Sequence, residues 1–396
     1  MRIYLDYAAT TPVDKRVSEA MSPFLSEKFG NAGSLHAYGQ EASAALDLSR
    51  EKLAGLIGAE FREIVFTGSA TEANNLAIRG AVKKARSKHA VTRPEIIVVG
   101  TEHESVLETA RDLAREGEAR VSIVSVNEEG LVDPREVAEL LNENTVLVSV
   151  AYANNEVGSI QPIKEIGAAI REFKGAGRVY PLFHTDAVQA FQYLPCVPSE
   201  LNADLMTISS HKIYGPKGVG MLYVKSKSAG IDPVITGGGQ EFGLRSGTEN
   251  ILCIVGFASA AGIAVEVRDE EGERVRKLRD DFYRRIKASI PEVELNGPAF
   301  GDKRLPNNLN IHFQGHESDE LLTSCSINGL AVSSGSACQS RSPSPSHVLV
   351  SMYGDKKRAA ESLRITLGRG TSKEEVDRAV ETIIKIIRNR KINAFN

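Results

Sequence analysis

The sequence predicts an α/β fold, with a large domain built on a mostly parallel sheet and a smaller α+β domain. Short continuous apolar runs rich in β-branched residues alternate with helical stretches through the first part of the chain, as strands covered on both faces do. After about Thr248 the pattern changes to long helices around one strand-like run. The apolar runs are at 64–66, 96–99, 121–126, 146–150, 182–184, 205–208 and 219–224.

The length of the chain predicts more than one core. At 396 residues it exceeds one ordinary domain. We expect a large domain at 14–260 and a smaller one made of 1–13 together with 261–396. The smaller one is predicted to contain helices at 250–267 and 270–290, a strand at 308–313, and a final helix with a capping box of Ser372 and Glu375.

Composition excludes several classes of protein. The chain is 42% hydrophobic and 25% charged, with a net charge of -3 and a pI near 6.3. These values are typical of a soluble globular protein and give no electrostatic ground for a nucleic-acid partner. No run approaches the ~18 apolar residues of a membrane span, and the first residues do not resemble a leader peptide. We expect a cytoplasmic protein without a membrane partner.

The four cysteines do not form a pattern typical of disulfides or of a tetrathiolate metal site. Cys196, Cys253, Cys325 and Cys338 lie far apart, without a C-x-x-C pair. Apolar or small neighbours around Cys253 and Cys325 favour the interpretation that both are small buried hydrophobes. Cys196 has no evident role.

Two further patterns are weak. His312 and His316 are separated by Gly315 and need not share a face, so no metal site is predicted. The run Gly237-Gly238-Gly239 lacks the G-x-G-x-x-G arrangement after a strand, so it is interpreted as a conformationally permissive loop rather than a dinucleotide-binding loop.

Chemically capable side chains follow the predicted strands. Ligands of parallel sheets bind beyond the carboxyl ends of the strands, and Thr71, His103, Asn155, Asp186 and Lys212 all lie at such places. A lysine there can hold an aldehyde if it is a neutral amine, a carboxylate can pair with a pyridinium nitrogen, and an imidazole titrates near neutrality. The alternatives are a surface lysine, and for Asp186 a cap on a helix beginning near Ala187.

One turn is suited to an anion. Residues 67–72 (TGSATE) lead from a strand through small residues into a helix, so backbone N–H groups and the positive helix end meet there. Many α/β turns share this pattern.

Cys338 lies in a segment of unusual composition. Seven serines, Gly335, Pro343 and Pro345 lie between Ser333 and Ser346. Such a segment cannot bury enough apolar area to become rigid, so we expect a mobile loop carrying one thiol. The alternative is an incidental exposed cysteine.

Five segments give the chain a family resemblance from end to end. They are 4–12 (YLDYAATTP), 186–189 (DAVQ), 209–212 (SSHK), 333–338 (SSGSAC) and 363–369 (LRITLGR). Together they resemble the NifS/IscS-like cysteine desulfurases, enzymes of the class-V aminotransferase superfamily that depend on pyridoxal phosphate (PLP). The resemblance implies the PLP-dependent transferase fold of type I.

The resemblance also implies roles for individual residues. Lys212, His103 and Cys338 would be catalytic, and Arg364 and Asn155 would bind the substrate. Asp186 would pair with the ring nitrogen of the cofactor, Gln189 with its ring hydroxyl. The full set of implied cofactor contacts is Ala70, Thr71, His103, Asn155, Asp186, Gln189, Ser209, His211, Lys212 and Thr248.

The implied activity is conversion of L-cysteine to L-alanine, with the sulfur carried as a persulfide on Cys338. An acceptor or iron–sulfur scaffold protein would then receive it, for cluster assembly or tRNA thiolation. Proton removal at Cα is assigned to Lys212 or to Lys212 with help from His103. Thr248 would reach the phosphate of a neighbouring subunit, which implies a homodimer. The alternatives are a selenocysteine lyase or another class-V aminotransferase, and Cys338 as a transient iron–sulfur ligand stays open.

One segment departs from the family pattern. Where the family usually has G-N-P-S-S, this chain has GNAGS at 30–34, followed by His36. Loss of the proline and gain of a glycine should loosen this loop, which leaves the roles of Asn31 and His36 open.

Overall fold

The computed structural model describes residues 2–226, 230–335 and 345–394. Its strands in the described ranges are β1 Ile3–Tyr4, β2 Ile64–Thr67, β3 Glu95–Val99, β4 Arg120–Val124, β5 Thr145–Ser149, β6 Leu182–Asp186, β7 Leu205–Ser209, β8 Gly220–Val224, β9 Glu294–Leu295, β10 Asn308–His312, β11 Leu330–Ala331 and β12 Ser362–Thr366. The helices are α1 Lys15–Met21, α2 Pro23–Ser26, α3 Ala37–Ile57, α4 Ala70–Lys88, α5 Glu104–Arg115, α6 Pro134–Leu140, α7 Ile163–Lys174, α8 Pro198–Leu201, α9 Ile251–Glu266, α10 Arg268–Ser289, α11 Ser318–Ile327, α12 His347–Tyr353, α13 Lys356–Ala360 and α14 Lys373–Ala394. Short 3-10 helices cover Phe61–Glu63, Ser210–Lys212 and Glu241–Gly243.

A seven-stranded sheet forms the centre of the molecule. Its strand order is β2-β8-β7-β6-β5-β3-β4. Strand β8 runs antiparallel to both of its neighbours, and every other pair is parallel. The seven apolar runs of the sequence are these seven strands, so the prediction of a mostly parallel α/β sheet is confirmed.

Both faces of this sheet are buried, which explains why the strands are continuously apolar. In β3, Ile97 and Val99 belong to one hydrophobic core, whereas Ile96 and Val98 belong to the core on the opposite face. Because side chains of a strand alternate between faces, a strand covered on both sides is apolar at most of its positions. The parallel strands therefore all present their carboxyl ends to one edge of a well-packed layer.

A second core joins the two ends of the chain. Strands β12, β10 and β9 form an antiparallel sheet, and β1 pairs in parallel with β11. Side chains from both ends pack in this core, including Ile3, Leu5, Phe282, Ile311 and Ile383. The division into 14–260 and 1–13 with 261–396 stays a prediction. Its boundary at 260 falls inside α9, where Ile263 and Ala264 still belong to the first core.

Most predicted helices form, and one does not. Helices α9, α10 and α14 are close to their predicted bounds, and the capping box is present, with Ser372 N–H donating to Glu375 Oε2 at 3.0 Å and Glu375 N–H donating to Ser372 Oγ at 3.2 Å. The helix predicted near Ala187 is wrong, because the chain there makes only successive turns up to Leu194. Pro195 comes next and cannot continue a helix.

No single helix within the described ranges is long and apolar enough to cross a membrane. Helices α9 and α10 reach the necessary length and apolar composition only when taken together, and the chain bends by 70° between them.

Candidate active site

A cavity of about 280 Å³ opens at the carboxyl ends of the parallel strands. It brings together nine of the residues singled out from the sequence, which are Ala70, Thr71, His103, Asn155, Asp186, Gln189, His211, Lys212 and Arg364. A larger and more open pocket of about 650 Å³ lies beside Asp133, Glu136 and Glu165, and none of the predicted site residues lines it.

Two of the predicted residues lie elsewhere. Ser209 is the last residue of β7 and is only 1% exposed, without lining the cavity. Thr248 is exposed and also does not line the cavity. Cys338 lies outside the described residues.

Lys212 is fixed by the N-terminal segment. It ends the 3-10 turn that follows β7, and its Nζ donates to the carbonyl oxygens of Ala8 and Ala9, each at 2.7 Å. The N–H of Thr11 donates to the carbonyl oxygen of His211 at 3.0 Å, which holds the same segment along the turn. A neutral amine has two N–H bonds and one lone pair, so two carbonyl acceptors orient it well for attack on an aldehyde.

Asp186 ends β6 and accepts two hydrogen bonds. The backbone N–H of Val188 donates to Oδ1 at 3.0 Å, and Asn74 Nδ2 donates to Oδ2 at 2.9 Å. Donors of this kind favour the charged carboxylate, which is the form that pairs with a pyridinium nitrogen. The sequence interpretation missed Asn74, which is 0% exposed. The sequence feature that could have identified Asn74 is a polar amide on the buried face of a helix, next to the small buried residues Ala73 and Ala77.

His103 is the residue before α5 and caps that helix. Its Nδ1 accepts the N–H of Ser105 at 3.1 Å and lies 2.8 Å from the hydroxyl of Ser105. Burial lowers the pKa of His103; the charge of Asp186 opposes this and that of Lys212 adds to it. The imidazole is therefore neutral at neutral pH.

Helix α4 offers an anion site at its first turn. Ser69 caps the helix by accepting the N–H of Glu72 at 3.1 Å, and the N–H groups of Ala70 and Thr71 belong to the turn that has no intrahelical acceptors. Strand β8 passes directly behind. A Cβ at Gly220 would lie 2.9 Å from the nitrogen of Ala70, so only glycine leaves this backbone in place.

A buried ion pair holds the glycine-rich loop against this turn. Arg50 Nη2 contacts Glu241 Oε1 at 2.7 Å with both side chains under 5% exposed, and Phe66 N–H donates to Glu241 Oε2 at 2.8 Å. Arg245, further along the loop, contacts Glu72 Oε1 through Nε at 2.7 Å. The loop predicted from Gly237 to Thr248 is thereby tied to β2 and to the start of α4.

Arg364 lies in β12, on the opposite side of the cavity from the sheet ends. Its Nη2 contacts Asp6 Oδ1 at 2.8 Å, and Nη1 donates to the carbonyl oxygen of Asn155 at 3.3 Å. Its buried Nε has no hydrogen-bond acceptor among the described residues. A carboxylate bound in the cavity would supply that acceptor, since guanidinium groups match carboxylates.

In the divergent N-terminal loop, Asn31 and His36 make local hydrogen bonds. His36 Nδ1 accepts the N–H of Gly39 at 3.3 Å at the start of α3, and Asn31 Oδ1 accepts the N–H of Gly33 at 2.9 Å. Neither side chain lines the cavity. Gly30 is required there, because a Cβ would overlap with the carbonyl oxygen of Tyr38.

The described residues contain no group of three or more His, Cys, Asp or Glu side chains arranged for a metal ion. His312 lies in β10, as its strand-like neighbours predict, and its Nε2 is 3.0 Å from Glu361 Oε2.

Comparison with known proteins places this site in a family. Residues 3–379 match the family model for aminotransferase class-V. A cysteine desulfurase IscS of Dictyoglomus turgidum is 43% identical over 387 residues, which cover 97% of this chain and 94% of the relative. The chain belongs to the cysteine desulfurase family. The type-I fold implied by the sequence is confirmed by a solved structure named NifS-like protein, which is 36% identical, covers 98% of this chain and 100% of its own, and has a TM-score of 0.89.

A second similar solved structure contains a bound amino acid. It is described as SspA in complex with cysteine, is 35% identical, covers 92% of this chain and 98% of its own, and has a TM-score of 0.79.

Glu102, directly before His103, is a buried acid that the sequence interpretation missed. It is 1% exposed, its Oε1 accepts the N–H of Ala151 at 2.7 Å, and its Oε2 has no hydrogen-bond partner among the described residues. Burial, with a further contribution from Asp186, raises the pKa of Glu102 from 4.5 to about 8. The carboxyl group is therefore protonated at neutral pH in the folded protein.

This raised pKa predicts a pH-dependent effect of Glu102→Gln on stability. Between pH 4.5 and about 8 the unfolded chain loses the proton of Glu102 while the folded protein keeps it. The wild type therefore loses free energy of unfolding as the pH rises through this window, by at most about 1.4 kcal/mol per pH unit. Glutamine has no proton to lose, so the variant should gain stability relative to the wild type from pH 5 to pH 8.

Urea unfolding of both proteins at the two pH values measures this difference. Exposed Glu128 provides the control, because Glu128→Gln should leave the pH dependence of the wild type unchanged. An equal effect of Glu102→Gln at pH 5 and pH 8 would contradict a protonated Glu102.

Proposed function

We propose that this protein is a PLP-dependent cysteine desulfurase. In the reaction, the C–S bond of L-cysteine breaks, L-alanine leaves, and the sulfur atom becomes the outer sulfur of a persulfide on Cys338. The observation that carries this proposal is the single cavity lined by Lys212, Asp186, His103 and Arg364. These are an amine, a carboxylate, an imidazole and a guanidinium, and they come from the turn after β7, the end of β6, the residue before α5 and the middle of β12.

The residues of the cavity fit PLP. Lys212 can take its aldehyde, Asp186 its ring nitrogen, and the first turn of α4 its phosphate, where backbone N–H groups of Ala70 and Thr71 lie. Burial lowers the pKa of the neighbouring His211 to about 4, so this imidazole is a neutral hydrogen-bonding group. When bound, PLP supplies a ring that withdraws electrons from Cα of an attached amino acid.

Each side chain then has a defined task. Arg364, whose Nε has no acceptor in the described part of the chain, orients the substrate carboxylate. The Lys212 amine is placed by its two carbonyl contacts to take the proton from Cα. Asp186, as a carboxylate, holds a proton on the ring nitrogen.

Cys338 is the best of the four thiols for receiving sulfur. Burial raises the pKa of Cys196 to about 12 and that of Cys325 to about 11, and it also raises the pKa of Cys253, which is partly exposed rather than fully buried. Thiols with raised pKa are poor nucleophiles because the thiolate is the reactive form. Cys338 comes shortly after Ser333, whose N–H donates to the carbonyl oxygen of Arg364 at 3.1 Å.

Mass spectrometry without reductant tests the role of Cys338. After incubation with L-cysteine, the wild type should carry an added mass of about 32 Da on the Cys338 peptide. Cys338→Ser should still bind PLP and L-cysteine but should neither gain the adduct nor release alanine, because a hydroxyl cannot accept the sulfur.

Cys253→Ser is the matched control, since this thiol is the most accessible of the three described cysteines. It should form the adduct on Cys338 as the wild type does. An adduct that persists in Cys338→Ser, or that maps to Cys196, Cys253 or Cys325, would contradict the assignment.

We also propose that the enzyme is a homodimer with shared sites. Thr248 is exposed and does not line the cavity of its own chain, as expected of a residue that completes the site of a neighbour. Coexpression of Lys212→Ala and Thr248→Ala chains tests the sharing. If Thr248 serves the partner, each hybrid dimer contains one intact site, and desulfurase activity should return above that of either variant alone.

A hybrid with no more activity than the variants would reject a shared site, as would a fully active monomer in sedimentation.

The persulfide is passed on to an acceptor protein, for iron–sulfur cluster assembly or tRNA thiolation. The expected cytoplasmic location stays a prediction.

A further inference from the structure

A chain of hydrogen bonds lies behind the cavity and begins at the amide of Asn74. Its Nδ2 carries two hydrogens and has two acceptors, Asp186 Oδ2 at 2.9 Å and Ser105 Oγ at 2.8 Å. Ser105 Oγ in turn lies 2.8 Å from His103 Nδ1. One buried side chain therefore connects the carboxylate and the imidazole that face the cavity.

The direction of these bonds decides the state of His103. Because His103 Nδ1 accepts the backbone N–H of Ser105, it must also be the acceptor in its contact with the Ser105 hydroxyl, whose oxygen accepts from Asn74. The backbone nitrogen of Ser105 lies 3.1 Å from Nδ1. A nitrogen that accepts two hydrogen bonds carries no hydrogen, so the neutral imidazole has its hydrogen on Nε2.

The orientation of the amide is set by Asp186. Turning Asn74 over would place Oδ1 against Asp186 Oδ2, and two acceptors at 2.9 Å repel each other. In the observed orientation Oδ1 is buried without a hydrogen-bond partner among the described residues. An unsatisfied buried carbonyl costs free energy, and the two hydrogen bonds that Asn74 Nδ2 donates offset this cost.

Other charged and titratable groups surround these two. Those that act on His103 come from β6, from the turn after β7, from α5 and from α12; they are Asp186, Lys212, Glu104 and His347. The charge of Asp186 also acts on Glu102, His103 and His184, and it raises the pKa of each. Burial works with the hydrogen bonds at His103, because both disfavour a second proton on the ring.

We propose that Asn74 is a positioning residue that links Asp186 to the protonation state of His103. Its amide donates to Asp186 Oδ2 and, through Ser105, holds His103 as the neutral tautomer with hydrogen on Nε2. The proposal rests on the function above in giving these two groups a part in the desulfurase reaction.

The tautomer decides whether His103 can act as a base. With its hydrogen on Nε2 and with Nδ1 occupied by Ser105, the neutral His103 can donate a hydrogen bond but has no nitrogen placed to accept a proton. The Cα proton is therefore taken by Lys212 alone. This resolves the choice between Lys212 and His103 that the sequence leaves open.

The titration of the His103 ring tests the proposal. Protein labelled with ¹⁵N in histidine, with and without PLP, gives ring nitrogen signals that distinguish the two tautomers, and a His103→Gln sample assigns them. The wild type should show the Nε2–H form. Ser105→Ala and Asn74→Ala should each raise the pKa of His103 by about 0.5 to 1 unit, because one hydrogen bond to Nδ1 is lost or released.

The double variant separates a chain from two independent effects. If Asn74 acts on His103 through Ser105, the shift in Asn74→Ala/Ser105→Ala should be smaller than the sum of the single shifts. Ser105→Thr keeps the hydroxyl and should restore the wild-type titration. Asn75→Ala is the matched control, because Asn75 lies on the same helix but bonds to Thr71 and Arg79; it should leave His103 unchanged.

Three results would overturn the proposal. They are an Nδ1–H tautomer in the wild type, a His103 titration unaffected by Asn74→Ala, or additive shifts in the double variant. If Asn74→Ala fails to fold, an unchanged titration in Ser105→Ala refutes the link by itself. The ring signals do not depend on turnover, so a protein with the expected tautomer but without desulfurase activity would refute the proposed function and keep the link.

Discussion

The arrangement of the site depends on the contacts of one segment near the N-terminus. The carbonyl oxygens of Ala8 and Ala9 each accept a hydrogen bond of 2.7 Å from Lys212, and two residues earlier Asp6 contacts Arg364 at 2.8 Å. The same segment thus binds the lysine at the end of the large sheet and the arginine of the small one. Since its first strand also pairs with β11, the distance between the amine and the guanidinium is set by a backbone that both cores hold in place.

Similar acids beside this cavity have unlike environments, and the difference follows from their donors. Asp186 accepts hydrogen bonds from Val188 and Asn74. Among the described residues, the Glu102 carboxyl accepts one hydrogen bond, from Ala151, and burial raises its pKa to about 8. Donated hydrogen bonds favour the charged form of a carboxyl group, whereas burial favours the neutral form. Glu102, protonated at neutral pH, therefore adds no negative charge next to Asp186.

The sequence predicted the parts of the fold that follow from periodicity and missed those that depend on contacts. Continuous apolar runs predicted seven strands because both faces of the sheet are buried, and the strand ends then brought nine predicted residues into one cavity. At Ala187, where a helix was one interpretation, the chain instead makes successive turns up to Leu194. Asn74 and Ser105 were missed because their role depends on side chains distant in sequence, and the carbonyl groups of Ala8 and Ala9 have no side-chain signature at all.

Borohydride reduction tests most directly whether this cavity holds PLP on Lys212. The protein loaded with PLP is treated with sodium borohydride, which makes the bond between the lysine and the cofactor permanent. The protein is then digested, and the masses of its peptides are measured. The geometry predicts the reduced cofactor on the peptide that contains Lys212, whose amine lies 2.7 Å from the carbonyl oxygens of Ala8 and Ala9. Cofactor found on Lys217 or on any other lysine, or on none, would contradict the site described above.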